Sequence, residues 1–365
     1  MRLSHLDFEL PEELIARRPL QQRDQSRLLI HHCQAEETHH RQFSDVLDYF
    51  RDGDLLVLNN SQVVPARMLC RKPTGGAVEG LWLNARADGT AECMLSGGRL
   101  RAGVELQFAE EKNGKVRLLG NGPQMRLQEK LTAGRWVIEN STDLDWHSLL
   151  TQMGHTPLPP YIRRLRRDVG EAEDSEEDRR RYQTVWAEQP GSVAAPTASL
   201  HFTAGLIQAL ENKGVKFTHI TLHVGAGTFL PVETEQVESH QMHAEKFSLS
   251  AQAAADLCAA RKEGRRIVAV GTTACRLLES LPAQPSESMG ETDLFILPGH
   301  EFRWTDALIT NFHTPKSTLL ALVAAFVGQN VGPNIGLERV HGVYRQAIEE
   351  KYRFYSYGDA SLWLK

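Results

Sequence analysis

The run Asn311-Phe312-His313-Thr314-Pro315-Lys316-Ser317-Thr318 holds the clearest candidate for binding an anion. Thr followed by Pro is a helix-start pattern, with Thr314 as the cap and Pro315 as the first helical residue. The free N–H groups of that first turn and the Lys316 ammonium would face a carboxylate or phosphate. The same residues also fit an ordinary capped helix with a solvated lysine. Gly271-Thr272-Thr273 offers a second set of donors, because it follows the apolar run Arg266–Val270 and opens a helical pattern. In parallel sheets, ligands bind at the carboxyl ends of strands, so two such turns predict one shared pocket.

His219-Ile220-Thr221-Leu222-His223-Val224-Gly225-Ala226-Gly227-Thr228-Phe229 reads as a strand ending in a glycine-flanked turn. With a period of two, His219, Thr221 and His223 share a face. Gly225 and Gly227 allow close approach of backbone to a ligand, although a bulge or corner would use them equally well. His240-Gln241-Met242-His243-Ala244-Glu245 supplies imidazole and carboxylate. Its H-x-x-H spacing lacks the i, i+4 pairing of a helical zinc site, so no metal is expected. Proton exchange or hydrogen bonding by His223, His243 and Glu245 fits better. Ser192–Thr203 is a run of small residues around Pro196 and includes Thr197 and His201. Such residues crowd either a ligand or a neighbouring element. G-x-S-x-G, the P-loop and a complete G-x-G-x-x-G are all missing, which argues against a serine hydrolase, a Walker ATPase and a dinucleotide enzyme.

These segments need a scaffold. The 365 residues are enough for two or three domains, and 41% hydrophobic with 24% charged residues is a globular composition. Residues 1–59 mix a short helix at Pro11–Ile15 with apolar strands at Leu28–Ile30 and Asp54–Leu58. From 60 to 150, short alternating segments are separated by Gly75-Gly76, Asp88-Gly89, Gly97-Gly98, Asn113-Gly114 and Asn121-Gly122, which predicts a small antiparallel β-barrel. After residue 190 helices and strands alternate: Thr203 caps Ala204–Asn212, Val215–Val224 is a strand, and Ala307–Asn311 is another. The expected fold is thus α/β: a main domain of 1–59 and 151–365 with a largely parallel sheet, and a barrel domain of 60–150 inserted into it. Arg163–Arg181, rich in both charges, reads as a mobile exposed loop.

The net charge of −5 excludes a uniformly basic coat but allows a local basic patch. Five scattered cysteines give no disulfide framework and fit a reducing compartment. The N-terminal residues lack a signal-peptide pattern, and the longest apolar run, Leu319–Val327, is too short to span a bilayer. A cytoplasmic protein without membrane contact is expected.

Taken in order, several runs resemble the S-adenosylmethionine:tRNA ribosyltransferase-isomerase family of queuosine biosynthesis. They are Asp7–Ala16, Pro65-Ala66-Arg67, Thr74-Gly75-Gly76, Pro157–Ile162, Arg181–Val185, Gly191–Thr203, Thr221–Phe229, His240–Glu245, Gly271-Thr272-Thr273, Ile309–Leu320 and Tyr352–Asp359, and they span essentially the whole chain. The resemblance implies transfer and isomerisation of the ribosyl group of S-adenosylmethionine onto 7-aminomethyl-7-deazaguanine, at the wobble position of tRNA with a GUN anticodon. Epoxyqueuosine tRNA, adenine and methionine would be the products. S-adenosylmethionine would be a consumed substrate, with no cofactor, and the chain is expected to be a monomer.

On that footing His223, His243 and Glu245 become the acid–base candidates. Thr197, His201, Gly225, Gly227, Thr228, Gly271, Thr272, Thr273, Asn311, His313, Lys316 and Ser317 become the substrate-binding candidates, and Arg67, Arg163, Arg164 and Arg181 the tRNA contacts. Gln62 stands where the family usually has Arg, Ser199 where Gly is common, and Thr314 where Leu is usual. Two other readings stay open: a metal-dependent hydrolase built on His219, His223, His240 and His243, and a non-catalytic tRNA-binding relative.

Overall fold

A computed structural model describes residues 1–365 apart from 113, 114, 119–121, 133, 226, 228–231 and 233, and apart from the side chains of 110–112 and 115–118. Two compact units are formed. One comprises Met1–Ser61, Thr184–Glu188 and Pro196–Lys365; the other comprises Gln62–Gln183 and Gln189–Ala195.

The first unit is built on nine strands, numbered here within that unit: β1 (Arg27–His32), β2 (Glu37–Gln42), β3 (Leu55–Asn59), β4 (Lys216–Leu222), β5 (Glu245–Leu249), β6 (Ile267–Val270), β7 (Ser288–Thr292), β8 (Ala307–Asn311) and β9 (Ala360–Leu364). Their order across the sheet is β7-β5-β4-β3-β6-β8-β9-β1-β2. The four central strands β4, β3, β6 and β8 are mutually parallel. β5 and β7 add antiparallel on one side; on the other, β9 lies antiparallel to β8 but parallel to β1. The sheet is therefore mixed, with a parallel centre. β3, β6 and β8 are buried along their whole length, as expected of parallel strands covered on both faces, and this explains why they are apolar up to their carboxyl ends.

Helices α1 (Ala204–Asn212), α2 (Ala251–Lys262), α3 (Thr272–Ser280), α4 (Thr318–Gly328) and α5 (Pro333–Glu349) complete this unit. α1 starts where the sequence predicts, because the Thr203 side chain accepts a hydrogen bond from the Leu206 N–H at 3.2 Å. Leu28, Ile30, Leu56, Leu58, Val268, Val270, Ile309 and Leu362 of the strands pack with Phe202, Leu206 and Leu210 in one core. No single helix among the described residues is long and apolar enough to cross a membrane.

In the second unit, six antiparallel strands close on themselves: Gln124–Lys130, Arg135–Asn140, Ala91–Ser96, Ala77–Ala85, Arg67–Arg71 and Glu105–Lys112, the last pairing back with the first. Burial alternates along Ala77–Ala85 and Gln124–Lys130, which is the signature of a barrel filled by its own side chains. The Asp88-Gly89 turn lies between two paired strands, with Gly89 at φ 84°. Asn113-Gly114 and Asn121 lie outside the described residues. Sequence texture draws a boundary near 150, whereas the contacts group 62–183 together.

Arg163–Arg181, expected as a mobile loop, instead forms two helices, Pro160–Asp168 and Glu176–Arg181, separated by a short turn. Its opposite charges pair with each other, which sequence polarity alone does not show. The Arg166 guanidinium is buried and donates to both oxygens of Asp178, at 2.6 and 2.8 Å.

Candidate active site

Because β4, β3, β6 and β8 run parallel, their carboxyl ends come to one edge of the sheet. Asn59, the last residue of β3, is fully buried there and organises the edge. Its Oδ1 accepts from the Leu222 N–H at 3.1 Å and the Ser61 N–H at 3.0 Å. Its Nδ2 donates to the Leu222 carbonyl at 2.8 Å and to Thr273 Oγ1 at 3.4 Å. One amide thus fills its hydrogen-bonding capacity while tying the end of β4 to the first turn of α3. The neighbouring Asn60 accepts from Thr221 Oγ1 at 2.7 Å.

Gly271 caps α3 with φ 97°, a conformation costly for any residue with a Cβ. Its N–H donates to the Ile309 carbonyl at 2.8 Å, and Thr272 beside it is buried. Asn311, at the end of β8, is buried among polar groups. Thr197 Oγ1 donates to Asn311 Oδ1 at 2.7 Å, while Asn311 Nδ2 lies 3.3 Å from His201 Nε2 and 3.4 Å from the Asp359 carbonyl. His201 Nδ1 meets Ser26 Oγ at 2.7 Å. Burial pushes the His201 pKa down to about 3, helped by the nearby Arg353 charge. This ring is a neutral hydrogen-bonding group at physiological pH, not an imidazolium.

Beyond β4, the Glu245 carboxylate accepts from the Gly225 N–H at 3.0 Å and forms a buried ion pair with Arg276 of α3. Both its oxygens are engaged, so Glu245 holds the chain at Gly225. His223 is half-buried, with its backbone N–H bonded to the Lys246 carbonyl. His243 is exposed, and a Cβ at Gly227 would collide with its ring, which is why a glycine stands there. Thr228 lies outside the described residues.

The Asn311–Thr318 run departs from expectation. α4 begins at Thr318, and its cap is Ser317, whose side chain accepts from the Leu320 N–H at 3.2 Å. Thr314 and Pro315 do not start the helix, because Lys316 adopts a left-handed φ of 57°, incompatible with a helical first turn. The Lys316 N–H donates to the Leu6 carbonyl and its ammonium pairs with Asp7 at 2.8 Å, so it is joined to the N-terminal segment. His313 is buried, with Nε2 2.9 Å from Thr310 Oγ1, and desolvation lowers its pKa to about 3.

Within the barrel unit, Arg67 is buried with its guanidinium bonded to Glu79 at 3.2 and 3.3 Å and to Glu173 at 2.8 Å. Arg163 bonds the same two carboxylates at 2.6 and 3.2 Å. Arg67 and Arg163, the expected phosphate contacts, are thus each ion-paired within this unit. Arg164 is exposed, and Arg181 lies near Glu177. Among the described residues no three His, Cys, Asp or Glu side chains converge as metal ligands, so His219, His223, His240 and His243 give a hydrolase no geometric footing.

Residues 3–363 match the family described as queuosine biosynthesis protein. The chain belongs to that family. An S-adenosylmethionine:tRNA ribosyltransferase-isomerase of Thermotoga petrophila is 43% identical, with 100% of both chains covered. A protein of the same name from Anaeromyxobacter sp. is 46% identical, with 99% of each covered. The crystal structure of the S-adenosylmethionine tRNA ribosyltransferase of Thermotoga maritima covers 99% of this chain and 100% of its own, at 33% identity and a TM-score of 0.54.

Two residues that organise this edge are not singled out by the motifs. Asn59 is the final residue of an apolar strand and gives its role away only by being an amide where the run of leucines and valine stops. Arg276 lies one helical turn beyond Thr273, and its buried guanidinium is met by the Glu245 carboxylate and the Leu294 carbonyl.

Proposed function

We propose that this chain is an S-adenosylmethionine:tRNA ribosyltransferase-isomerase, moving the ribosyl group of S-adenosylmethionine onto 7-aminomethyl-7-deazaguanine in tRNA and giving epoxyqueuosine tRNA, adenine and methionine. The observation that carries this reading is the family match over 3–363, with relatives of that name aligned from end to end. The geometry supports it: the parallel strands end in a shared edge of amides, hydroxyls and helix-start N–H groups, the kind of lining a nucleoside requires.

The chemistry follows from the sulfonium, which acidifies its neighbouring C–H bonds. A base takes the ribose C5′ proton, and the electron pair left behind opens the sugar ring and expels adenine, which leaves with a proton. The exocyclic amine of the tRNA base then adds to C4′ of the opened vinyl sulfonium and gives up a proton. The C5′ carbanion so formed bonds to the C1′ aldehyde carbon and closes a five-carbon ring. The resulting alkoxide displaces sulfur from C5′, forming the epoxide and freeing methionine. We assign the proton transfers to His223 and His243, and to Glu245 the positioning of the Gly225 turn. Thr273 and Thr197 orient the nucleoside, themselves held by Asn59 and Asn311. The tRNA carries a GUN anticodon and is met by Arg164 and Arg181. The chain works as a cytoplasmic monomer without a resident cofactor or metal, S-adenosylmethionine being consumed.

The test is adenine release from S-adenosylmethionine by purified chain, with and without tRNA bearing 7-aminomethyl-7-deazaguanine. Release that requires this tRNA is the expected result. A chain that binds the tRNA and frees no adenine is the non-catalytic relative instead.

A further inference from the structure

The buried polar groups at the end of β8 form a single hydrogen-bonded chain, and two backbone carbonyls fix its direction. A carbonyl oxygen can only accept. The Asp359 carbonyl therefore requires the Asn311 amide to present its Nδ2 side, at 3.4 Å; the flipped amide would set oxygen against oxygen. With Nδ2 so placed, its other proton points at His201 Nε2, which must be the unprotonated nitrogen of the ring. The His201 proton then sits on Nδ1 and is donated to Ser26 Oγ, whose own proton goes to the Arg23 carbonyl at 3.1 Å. At the other end, Asn311 Oδ1 takes the hydroxyl proton of Thr197.

Ser26, His201 and Asn311 are all buried, whereas Thr197 is half-buried and is the one member with surface to offer a ligand. Its single hydroxyl proton is already committed, so it meets a ligand only through oxygen lone pairs. We propose that Thr197 is a dedicated hydrogen-bond acceptor for an N–H or O–H group of S-adenosylmethionine, and that His201 is a positioning residue that sets this polarity through Asn311. This rests on the function proposed above. It gives His201 a role distinct from acid–base catalysis, in keeping with a ring that burial keeps neutral. The network also explains why a histidine suits the position: its two ring nitrogens join Ser26 to Asn311 as donor on one side and acceptor on the other.

Calorimetric binding of S-adenosylmethionine to the full chain without tRNA, alongside steady-state adenine release, tests this. Thr197→Val keeps the shape and removes the acceptor; it should raise both Kd and KM for S-adenosylmethionine about tenfold, the loss expected for one buried hydrogen bond. Thr197→Ser should restore both. His201→Gln should raise KM in the same direction while leaving the limbs of the kcat–pH profile where they are in the wild type. Unchanged Kd in Thr197→Val overturns the proposal, as does a lost pH limb in His201→Gln. If His201→Gln does not fold, the Val and Ser pair at Thr197 decides alone. Wild type that binds S-adenosylmethionine yet releases no adenine sinks the functional reading and leaves the Thr197 comparison readable as Kd.

Discussion

At the carboxyl edge of the nine-stranded sheet, the buried and half-buried polar groups are mostly neutral: the Asn59 and Asn311 amides, the Thr197 and Ser26 hydroxyls and the His201 imidazole. In the barrel unit they are formal charges: Arg67 and Arg163 against Glu79 and Glu173, and Arg166 against Asp178. The two regions answer to different physics. A neutral network has a direction, since each proton is assigned by its neighbour, and it can present a chosen lone pair or N–H to a ligand without a counter-ion. An ion cluster has little such direction. It fastens elements together, here the helices Pro160–Asp168 and Glu176–Arg181 onto each other and onto a barrel strand, and it fails abruptly when one partner is lost.

That contrast is most easily broken at Arg166. Arg166→Ala leaves the Asp178 carboxylate buried without its guanidinium, and the expected loss is about 3–5 kcal/mol of stability, read from denaturant unfolding. A loss below about 1 kcal/mol, the value of an exposed pair, would mean that the cluster does not fasten these helices. Asn59→Ala should cost less, about 1–3 kcal/mol, since it strands the Leu222 and Ser61 N–H groups. Its adenine release should fall much further than its stability does, because the first turn of α3 loses its tie to β4. Thermal unfolding and the adenine assay, run on one preparation, separate the two; an active Asn59→Ala enzyme would remove the amide edge from the mechanism.

The smallest effect expected of any single group is with pH. His201 and His313 have folded-state pKa values lowered to about 3 by burial, against an unfolded value of 6.5. Their neutral burial is fully compatible with folding above pH 6.5. As pH falls below that value the unfolded chain takes up protons that the folded one refuses, so stability declines progressively toward pH 3. By pH 6 the loss should be about 1 kcal/mol per ring. Equilibrium unfolding between pH 7.5 and 5.5 would show it, above the range where the lowered carboxyls Glu79 and Asp174 begin to contribute. A flat profile there would mean that these rings are not held neutral.

Much of the scaffold could be read locally. The Thr203 cap, the strand Ala307–Asn311 and the strand running into Gly271 fall where apolar runs and cap residues put them. The start of α4 could not, because Thr314-Pro315 and Ser317-Thr318 are both acceptable starts, and the choice follows from Lys316, whose N–H bonds to Leu6 far away in sequence. The charged stretch 163–181 looked like a solvated loop because its composition is polar; pairing Arg166 with Asp178 gives it a buried side that composition does not reveal.

The parallel centre of the sheet, the barrel, the family and most of the polar residues near the strand ends are legible along the chain, since apolar periodicity, turn residues and ordered motifs are properties of neighbours. Only the tertiary structure decided which of those residues meet. Asn59 finds Leu222 at a separation of 163 residues and Thr273 at 214, and Thr197 finds Asn311 at 114. Hydrogen bonds act over about 3 Å and are indifferent to sequence distance, so the direction of a proton in such a network exists only once the strands lie side by side.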